Sequence, residues 1–313
     1  MTATPAPRCL VALGGNALLR RGEPADAGRQ RERVEAAASA LAELAAQRTL
    51  VLTHGNGPQV GLLALQAAAY REVAPYPLDL LDAESEGMIG YLLELALRNA
   101  LAGAPVATLL TQVVVDDGDL AFAHPTKPIG PEYGREEATR LAHEHGWTVA
   151  PDAAAYRRVV ASPEPREIVE LDAIELLVDA GVTVICAGGG GIPVAARNGS
   201  LAGIEAVIDK DLTAALLAER LGARQLLLLT DVAAVERDWG TPQSRPIHRT
   251  TPDELRRLAF AAGSMGPKIE AACRFVERTG GAAAIGSLDD AAEIARGSAG
   301  TQVAPSSGER ARA

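Results

Sequence analysis

Short apolar runs alternate along the chain with longer stretches that are rich in alanine, leucine, glutamate and arginine. The short runs have the composition of buried strands, and the longer stretches have the apolar spacing of amphipathic helices. This alternation predicts an α/β fold built from β-α units around a mainly parallel open sheet. The predicted strands comprise residues 10–13, 50–53, 106–115, 182–186, 225–229, 282–285 and 300–303. The predicted helices comprise residues 30–47, 58–70, 86–101, 167–180, 211–221, 251–261, 268–278 and 288–296.

The pattern changes between residues 116 and 165, where proline, glycine and charged residues are frequent and apolar periodicity is weak. We interpret this segment as an excursion from the sheet that forms either a small protruding hairpin subdomain or a lid. A division near residue 220 would give an N-terminal half (residues 1–220) and a C-terminal half (residues 221–304), although the same pattern is also compatible with one continuous sheet. The polar tail at 305–313 is predicted to be disordered.

Composition argues against membrane-spanning, secreted and nucleic-acid-binding proteins. With 313 residues, of which 48% are hydrophobic, the chain is long enough for one large or two medium domains. No apolar run approaches the roughly 18 residues of a membrane span, and the N-terminus has no signal-peptide pattern. Three widely spaced cysteines predict a reduced, cytoplasmic location. The net charge of −10 and the aromatic content of 3% argue against a nucleic-acid partner.

Glycine-rich turns follow three of the predicted strands. Gly14 and Gly15 follow the first, Gly55 and Gly57 follow the second, and residues 188–191 follow the fourth. In open parallel sheets, ligands bind at the carboxyl ends of strands, where glycine lets backbone N–H groups approach an anion. Such turns also use glycine for steric reasons alone, but three in one topological position favour an anion-binding cleft. The sequence contains neither a P-loop nor, after the first strand, a dinucleotide-binding glycine motif.

Lysine is scarce in this chain. Of 30 basic residues only three are lysines, at positions 127, 210 and 268, and every other basic residue is an arginine. Where arginine fills almost every basic position, a retained lysine marks a position that arginine cannot fill. Lysine carries a compact point charge on a flexible stem, whereas arginine carries a bulky planar fork. Phosphoryl transfer needs such compact charges, because phosphate oxygens and an anionic acceptor must be neutralised in a small space.

The settings of the three lysines favour a shared site over three chance survivals. Lys127 is the third residue of the segment Pro-Thr-Lys-Pro. Lys210 lies between two aspartates, and Lys268 follows a Gly-Pro pair. Asp211, in the first turn of a predicted helix, has two open interpretations: a helix cap, or a carboxylate that holds Lys210 and Lys268. His54, in the second glycine turn, is equally compatible with a structural hydrogen bond and with ligand contact.

The residues also match a known family. The matching segments are VALGGNA (11–17), THGNGPQVG (53–61), LTQVVVD (110–116), PTKPIGP (125–131), GGGGIPV (188–194), IEAVIDKD (204–211) and GSMGPKIEA (263–271). These segments are similar to those of carbamate kinases, and the resemblance extends from Arg8 to Val303. The PTKPIGP segment makes it specific, because other amino-acid kinases share the first glycine turn and the region of Asp211 and Lys268 but not this block.

The resemblance implies an αβα sandwich in which the N-terminal half binds carbamate and the C-terminal half binds ATP or ADP with Mg²⁺. It further implies a cytoplasmic homodimer with small-molecule substrates and no separate metal-binding residues. Lys127, Lys210 and Lys268 would neutralise charge, and Asp211 would organise them. The residues implied to hold carbamate and the transferring phosphoryl group are Gly14, Gly15, Asn16, Gly55, Asn56, Gly57, Gly189 and Gly190. The residues implied to contact the nucleotide are Thr230, Asp231, Val232, Ser264, Met265 and Gly266.

Two departures from the family pattern bear on the acceptor. Residues 152–158 form a segment that is one residue shorter than in the family and lacks its glycines and first arginine. Altered geometry there leaves two alternatives open: an enzyme that phosphorylates another small carboxylate, or an inactive nucleotide-binding paralogue. Glu86 stands where many relatives have glutamine. A negative charge near an anion site hinders binding unless it is paired, so an unpaired Glu86 is expected to face away from the site.

Overall fold

The computed structural model describes residues 7–18, 26–152, 154–258 and 265–306. Its strands are β1 (Arg8–Leu13), β2 (Thr49–His54), β3 (Val106–Thr108), β4 (Gln112–Val115), β5 (Lys127–Tyr133), β6 (Val149–Asp152), β7 (Ala155–Val160), β8 (Glu167–Ile168), β9 (Thr183–Ile185), β10 (Ile192–Arg197), β11 (Ser200–Gly203), β12 (Gln225–Thr230), β13 (Glu236–Arg237), β14 (Arg245–Pro246), β15 (Arg249–Thr250), β16 (Ala282–Ser287) and β17 (Thr301–Val303). Its α-helices are α1 (Gly15–Leu18), α2 (Ala27–Ala45), α3 (Gly57–Ala69), α4 (Leu78–Ala100), α5 (Arg135–His145), α6 (Leu171–Asp179), α7 (Lys210–Arg220), α8 (Pro252–Arg256), α9 (Met265–Thr279) and α10 (Ala291–Arg296). Short 3₁₀ helices lie at Leu120–Phe122, Gly188–Gly190 and Leu288–Asp290.

Eight of the described strands form a central sheet in the order β15-β17-β16-β12-β1-β2-β9-β3. Neighbouring strands run parallel, except that β16 and β17 are antiparallel. Successive residues of β1 point to opposite faces, so that Leu10 packs into one apolar core and Val11 into the other. Helices α6, α7 and α9 contribute to the first core, and α2, α4 and α10 contribute to the second. The predicted αβα sandwich with a mainly parallel sheet is therefore confirmed.

The central sheet runs through both halves of the sequence. β1 pairs with β2 on one side and with β12 on the other. The register places Leu13 opposite Leu229, and both side chains are fully buried. The two predicted halves, residues 1–220 and residues 221–304, are therefore joined side by side within one sheet, and the chain passes between them at the end of α7.

The predicted strand at 106–115 is wrong, because the chain leaves one sheet and enters another within it. β3 pairs with β9 in the central sheet, whereas β4 pairs with β10 and β8 in a separate sheet of order β11-β10-β4-β8. Leu110, in the break, is exposed, and the Thr111 N–H donates to Glu86 Oε2 at 3.1 Å. An apolar run predicts burial but does not show a change of sheet, so periodicity alone predicts a single strand.

Three predicted helices differ clearly from the structure in their bounds. The helix predicted at 86–101 begins earlier, at Leu78, and ends at Ala100. The helix predicted at 167–180 begins only at Leu171, because Ile168 pairs with Val113 as part of β8. The helix predicted at 251–261 ends at Arg256, and its last three residues lie outside the described part of the chain. Most of the tail predicted to be disordered, residues 307–313, lies outside it as well.

Residues 127–160 form a small subdomain within the excursion that the change of pattern predicts. β5, β7 and β6 make an antiparallel sheet, and α5 packs on it around Tyr133 and Leu141. The subdomain meets the main body at α3, where a Cβ atom on Gly61 would lie 1.9 Å from Gly130 Cα. A backbone approach this close leaves no room for a side chain, so two glycines set the position of β5 against α3.

Candidate active site

Four neighbouring strands of the central sheet end at one edge, where the first glycine turns meet. The strands β12, β1, β2 and β9 are adjacent and parallel, so the turns that follow them are adjacent too. A Cβ atom on Gly55 would lie 2.9 Å from Gly15 N and 3.3 Å from Lys210 Cε. One on Gly14 would lie 3.0 Å from Leu229 O. The backbones of the first two turns are therefore in direct contact, beside a lysine side chain.

A buried carboxylate joins two of the three lysines. Lys268 Nζ donates to Asp211 Oδ2 at 3.0 Å, and Lys210 Nζ donates to Asp211 Oδ1. All three residues are buried, with exposed fractions of 3% to 7%. Lys210 and Asp211 begin α7, and Lys268 lies in the first turn of α9, so two helix starts bring these groups together. Of the two open interpretations of Asp211, the structure shows the carboxylate that holds both ammonium groups.

Asp209 caps α7 and binds the third lysine. Its Oδ1 accepts the N–H of Asp211 at 2.9 Å and that of Leu212 at 3.3 Å. Its Oδ2 accepts a hydrogen bond from Lys127 Nζ at 2.5 Å. Lys127 is the first residue of β5, so the small subdomain places its lysine over the start of α7. The three lysines that the sequence singles out therefore lie in one cluster, which we call the lysine–aspartate cluster.

The lysine–aspartate cluster is suited to binding anions. Three ammonium groups share two carboxylates, and the N-terminus of α7 adds the positive end of its dipole. The N–H groups of the glycine turns lie at the same edge of the sheet. Together these groups can neutralise a multiply charged anion such as a phosphoryl group.

Burial and charge act against each other on the pKa values of this cluster. Burial lowers the pKa of Lys210 to about 8, helped by repulsion from Lys268 and opposed by attraction to Asp211. Burial also disfavours the charged form of Lys268, but Asp211 outweighs it and raises the Lys268 pKa. Burial alone would raise the pKa of Asp211, but the two ammonium groups outweigh it and hold the pKa well below its usual range. Asp211 is therefore ionised at neutral pH, and Lys210 is the ammonium group that loses its proton more readily.

The third glycine turn lies against Asn56. Gly189 and Gly190 have φ angles of 70° and 107°, and a Cβ atom on Gly189 would lie 2.2 Å from Asn56 Nδ2. Asn56 precedes Gly57, the first residue of α3, and is 2% exposed. The structure thus brings the second and third glycine turns together around one amide side chain. Asn16 lies in α1 directly after the first turn, and its side chain is outside what the structure describes.

The predicted nucleotide contacts fall at two element ends in the C-terminal half. Thr230 is the last residue of β12, and its Cα lies 3.4 Å from the Cβ position of Gly14. Thr230 Oγ1 donates to Asp231 Oδ1 at 3.0 Å, and Val232 follows in the same turn. The other predicted contacts are Met265 and Gly266, which begin α9, and Ser264, which lies outside the described residues.

Comparison with known proteins identifies the family. Residues 7–287 match the amino acid kinase family. Over 298 residues, the chain is 53% identical to a carbamate kinase of Haemophilus influenzae, and the match covers 95% of this chain and 96% of that protein. The chain belongs to the carbamate kinase branch of the amino acid kinase family.

Solved carbamate kinases have the same architecture. The carbamate kinase from Giardia lamblia bound to citric acid superposes with a TM-score of 0.92 at 40% identity, over 98% of this chain and 100% of the other. The Giardia lamblia carbamate kinase bound to AMP-PNP superposes with a TM-score of 0.87 at 40% identity over the same shares. The likeness therefore extends over almost the whole chain.

The position of Glu86 contradicts the expectation that it faces away from the site. Glu86 is 1% exposed, and its carboxylate accepts the N–H of Gly188 at 2.8 Å and that of Thr111 at 3.1 Å. Two backbone donors thus pair with this carboxyl group, and the bond from Gly188 fixes the third glycine turn to α4. Burial raises the pKa of Glu86 to about 8, opposed by the same two N–H donors.

Asp82 and Ser85, which no sequence motif singled out, lie on the same face of α4 as Glu86. Asn56 Nδ2 donates to Asp82 Oδ1 and to Ser85 Oγ, each at 2.9 Å, and both acceptors are buried. A signal for them exists, because these residues continue the helical spacing of the buried apolar positions 89 and 93. Polar side chains on a buried helix face need hydrogen-bond partners, so this spacing indicates a buried hydrogen-bond network.

His54 is fully buried beneath the third glycine turn. Burial lowers its pKa to about 4, so the imidazole is neutral at neutral pH. Its Nδ1 lies 3.3 Å from Gly55 O, and a Cβ atom on Gly188 would lie 2.3 Å from its Nε2. These contacts within the turns support the structural interpretation of His54 over ligand contact.

The described residues of the shortened segment, 152 and 154–158, include the end of β6 and the first part of β7. Arg157 donates to Gly130 O through Nε at 3.0 Å and through Nη2 at 2.7 Å. Arg158 lies with its Cζ 4.7 Å from the centroid of the Trp147 ring, and its Nη2 lies 3.6 Å from Glu205 Oε1. The two arginines therefore hold the shortened hairpin against β5 and against the main body.

Glu86→Gln tests the burial of this carboxyl group through the pH dependence of stability. The folded-state pKa of about 8 lies above the ordinary value of 4.5, so the folded protein keeps a proton that the unfolded chain releases. This contribution to stability is complete below pH 4.5 and is lost as the pH rises through 8. From about pH 5 to about pH 8.5, we expect the free energy of unfolding of the wild type to fall by about 4 kcal/mol relative to Glu86→Gln.

The measurement is urea unfolding of both proteins at the two pH values. Glu84→Gln is the matched control, because Glu84 lies on the same helix and is exposed. A stability difference between the wild type and Glu86→Gln that stays constant with pH would show that the carboxyl titrates normally.

Proposed function

We propose that the protein catalyses the reversible transfer of a phosphoryl group between ATP and carbamate. The observation that carries this proposal is the lysine–aspartate cluster, in which the only three lysines of the chain converge on Asp209 and Asp211. The similar carbamate kinases of Haemophilus influenzae and Giardia lamblia support carbamate as the acceptor. The Giardia lamblia carbamate kinase bound to AMP-PNP supports ATP as the nucleotide.

In the direction of carbamate phosphorylation, a carbamate oxygen forms a bond to the γ-phosphorus of ATP. The bond between that phosphorus and the β–γ bridging oxygen breaks, and ADP leaves with the electron pair. Attacking and leaving oxygens both carry negative charge, so the protein works by positioning and neutralisation, without a covalent enzyme intermediate. Lys210 and Lys268, fixed by Asp211, and Lys127, held above α7, supply that neutralisation at the transferring group.

The two halves of the sheet divide the substrates between them in this proposal. The glycine turns of the N-terminal half, at residues 14–15, 55–57 and 189–190, surround Asn56 and would hold carbamate and the transferring phosphoryl group. The C-terminal half contributes the end of β12 and the start of α9, which would contact the nucleotide. The lysine–aspartate cluster lies where these two halves meet, because Lys268 of α9 bonds Asp211 of α7.

Mg²⁺ would enter this site with the nucleotide. Among the residues that the structure describes, no group of three or more histidine, cysteine, aspartate or glutamate side chains could hold a metal ion. Asp209 and Asp211 are already paired with lysines. With both aspartates paired in this way, the ion would be carried on the phosphate oxygens of ATP or ADP, where it would neutralise phosphate charge.

The proposal is tested by measuring ATP formation from carbamoyl phosphate and ADP in the presence of Mg²⁺. We expect turnover that requires both substrates. In the reverse direction, a panel of carbamate, acetate, aspartate and N-acetylglutamate is compared by ADP release. A preference for another carboxylate over carbamate would assign the protein to the first alternative. ATP binding without turnover on any acceptor would assign it to the second, the inactive paralogue.

A cytoplasmic location belongs to the same proposal. Cys9, Cys186 and Cys273 are all buried as free thiols, which fits a reducing compartment. Within the described residues, none of the helices has the length and apolar character needed to cross a membrane.

We also propose that the protein is a homodimer, formed through the outer face of α4. Met88, Tyr91 and Leu95 lie on one side of this helix and are 37%, 57% and 41% exposed. α4 packs beside β3, the last strand of the central sheet on that side, where Gly90 meets Thr108. An exposed apolar helix face next to an edge strand is the kind of surface that a second copy covers.

Tyr91→Glu is expected to convert the dimer into a monomer, because it places a charge in the centre of this apolar face. The measurement is the molar mass in solution by size-exclusion chromatography with light scattering. Leu120→Glu is the control, since Leu120 is 77% exposed but lies near the small subdomain. An unchanged mass for Tyr91→Glu would place the interface elsewhere.

A further inference from the structure

The orientation of the Asn56 side chain is fixed by a serine hydroxyl that has only one proton to give. Ser85 Oγ donates that proton to the backbone oxygen of Asp82 at 2.9 Å. Towards Asn56, which lies 2.9 Å away, Ser85 Oγ can therefore only accept. The atom of Asn56 that faces Ser85 must be the NH₂ nitrogen, and not the carbonyl oxygen. The assignment of Nδ2 and Oδ1 thus follows from the hydrogen-bond network.

The second proton of the same NH₂ group goes to Asp82. Asn56 Nδ2 donates to Asp82 Oδ1 at 2.9 Å, and burial raises the pKa of the Asp82 carboxyl well above its usual range. Oδ1 can accept whether or not Asp82 carries a proton, so this bond adds to the constraint from Ser85 in both states. Both donor protons of Asn56 are therefore committed to the protein.

The amide oxygen of Asn56 is left without a hydrogen-bond partner among the described residues. In the described part of the chain, Asn56 Oδ1 accepts no hydrogen bond. It is also absent from the enclosed polar atoms without a partner, which are His54 Nε2, Gln59 Oε1 and Asp82 Oδ2. Asn56 Oδ1 therefore keeps contact with solvent although the residue is 2% exposed. The amide lies against Gly189, whose Cβ position is 2.7 Å from Oδ1, and Gly55, the residue before Asn56, lies against Gly15 and Lys210.

A lone acceptor in this place selects a donor on the substrate. Carbamate and carbamoyl phosphate carry a planar NH₂ group on the carbon next to the reacting oxygen, and this group donates hydrogen bonds. Acetate and acetyl phosphate have nearly the same shape and charge but carry a methyl group there. A methyl group would leave the buried Asn56 Oδ1 without a partner, and that loss disfavours the complex.

We propose that Asn56 Oδ1 accepts a hydrogen bond from the amino group of carbamate, and that Asp82 and Ser85 are the positioning residues that aim it. This assignment rests on the proposed function, since it concerns the acceptor of the same reaction. It makes Asn56 the specificity-determining residue and leaves neutralisation of the phosphoryl group to the lysines.

The test is the ratio of kcat/KM for carbamoyl phosphate to kcat/KM for acetyl phosphate, each with ADP and Mg²⁺. We expect Asn56→Ala to reduce the wild-type ratio by about ten- to a hundredfold, because it removes the acceptor. Ser85→Ala keeps Asn56 but removes one of the two contacts that hold its amide, so the ratio should fall in the same direction by a smaller amount. Ser39→Ala is the matched control, since the Ser39 hydroxyl also donates to a backbone oxygen, that of Glu35, on the distant α2.

The outcomes separate this inference from the function on which it rests. If the wild type forms ATP from carbamoyl phosphate and both variants lose activity equally on the two phosphates, Asn56 acts on the phosphoryl group and our inference is wrong. A ratio that is unchanged in Ser85→Ala and reduced in Asn56→Ala would remove Ser85 as a positioning residue. A wild type that forms no ATP from carbamoyl phosphate would instead overturn the proposed function itself, and the inference with it.

Discussion

Replacing Asp211 with asparagine is expected to lower kcat/KM for ATP formation from carbamoyl phosphate by about 10³-fold. The substitution keeps the size of the side chain but removes the charge that holds Lys210 and Lys268. Both ammonium groups are then buried without a shared carboxylate. Lys210, whose pKa burial already lowers to about 8, loses its strongest attraction and releases its proton more readily.

A pH profile distinguishes this account from simple loss of folding. Without Asp211 the pKa of Lys210 falls further, so its ammonium form is populated only at lower pH. We therefore expect the residual activity of Asp211→Asn to keep increasing as the pH is lowered to about 6, whereas that of the wild type, whose Lys210 pKa is about 8, levels off at a higher pH. Asp117→Asn is the control, because Asp117 pairs with Arg197 at the surface. Activity of Asp211→Asn within tenfold of the wild type would exclude the organising role.

Lys127→Arg is expected to lower kcat/KM by about 10²-fold although the positive charge is kept. Lys127 reaches from the small subdomain to Asp209 at 2.5 Å with a side chain that is 24% exposed. A guanidinium fork is broader than an ammonium group and would have to displace either Asp209 or the transferring phosphoryl group. The measurement is steady-state ATP formation, with circular dichroism to confirm the fold.

The opposite exchange at the surface is the control for Lys127→Arg. Arg166→Lys changes a side chain that pairs with the exposed Asp116, and we expect it to leave kcat/KM within a factor of two. If Lys127→Arg behaves in the same way, Lys127 does not touch the reacting groups, and the proposed enzyme then acts through Lys210 and Lys268 alone.

The sequence predicted the meeting of the three lysines better than the course of the chain. Three lysines among 30 basic residues pointed to Lys127, Lys210 and Lys268, which are separated by dozens of residues and yet lie on two neighbouring aspartates. That prediction was possible because a confined site for a positive charge accepts lysine but not the broader arginine, wherever the residue lies along the chain. The αβα arrangement followed for a similar reason, since buried parallel strands leave clear apolar runs.

Features that depend on long-range pairing were not predictable in the same way. The run at 106–115 is apolar throughout, but β3 and β4 belong to different sheets because β9 and β10 meet them from distant regions of the chain. Glu86 was expected to face away from the site because an unpaired negative charge hinders anion binding. Its partners, the N–H groups of Gly188 and Thr111, become visible only once the turns are folded.

The burial of the lysines also decides how this protein responds to amine chemistry. Lys210 and Lys268 are 7% and 5% exposed, whereas the Lys127 side chain is 24% exposed, so among the three lysines Lys127 is the one that amine-acylating reagents reach. Coupling the protein to a support through lysine would therefore attach it at its own candidate active site. Because lysine is scarce in this chain, labelling of the Lys127 amine can be measured on its own. A ligand that binds in the cleft would protect this amine from the reagent.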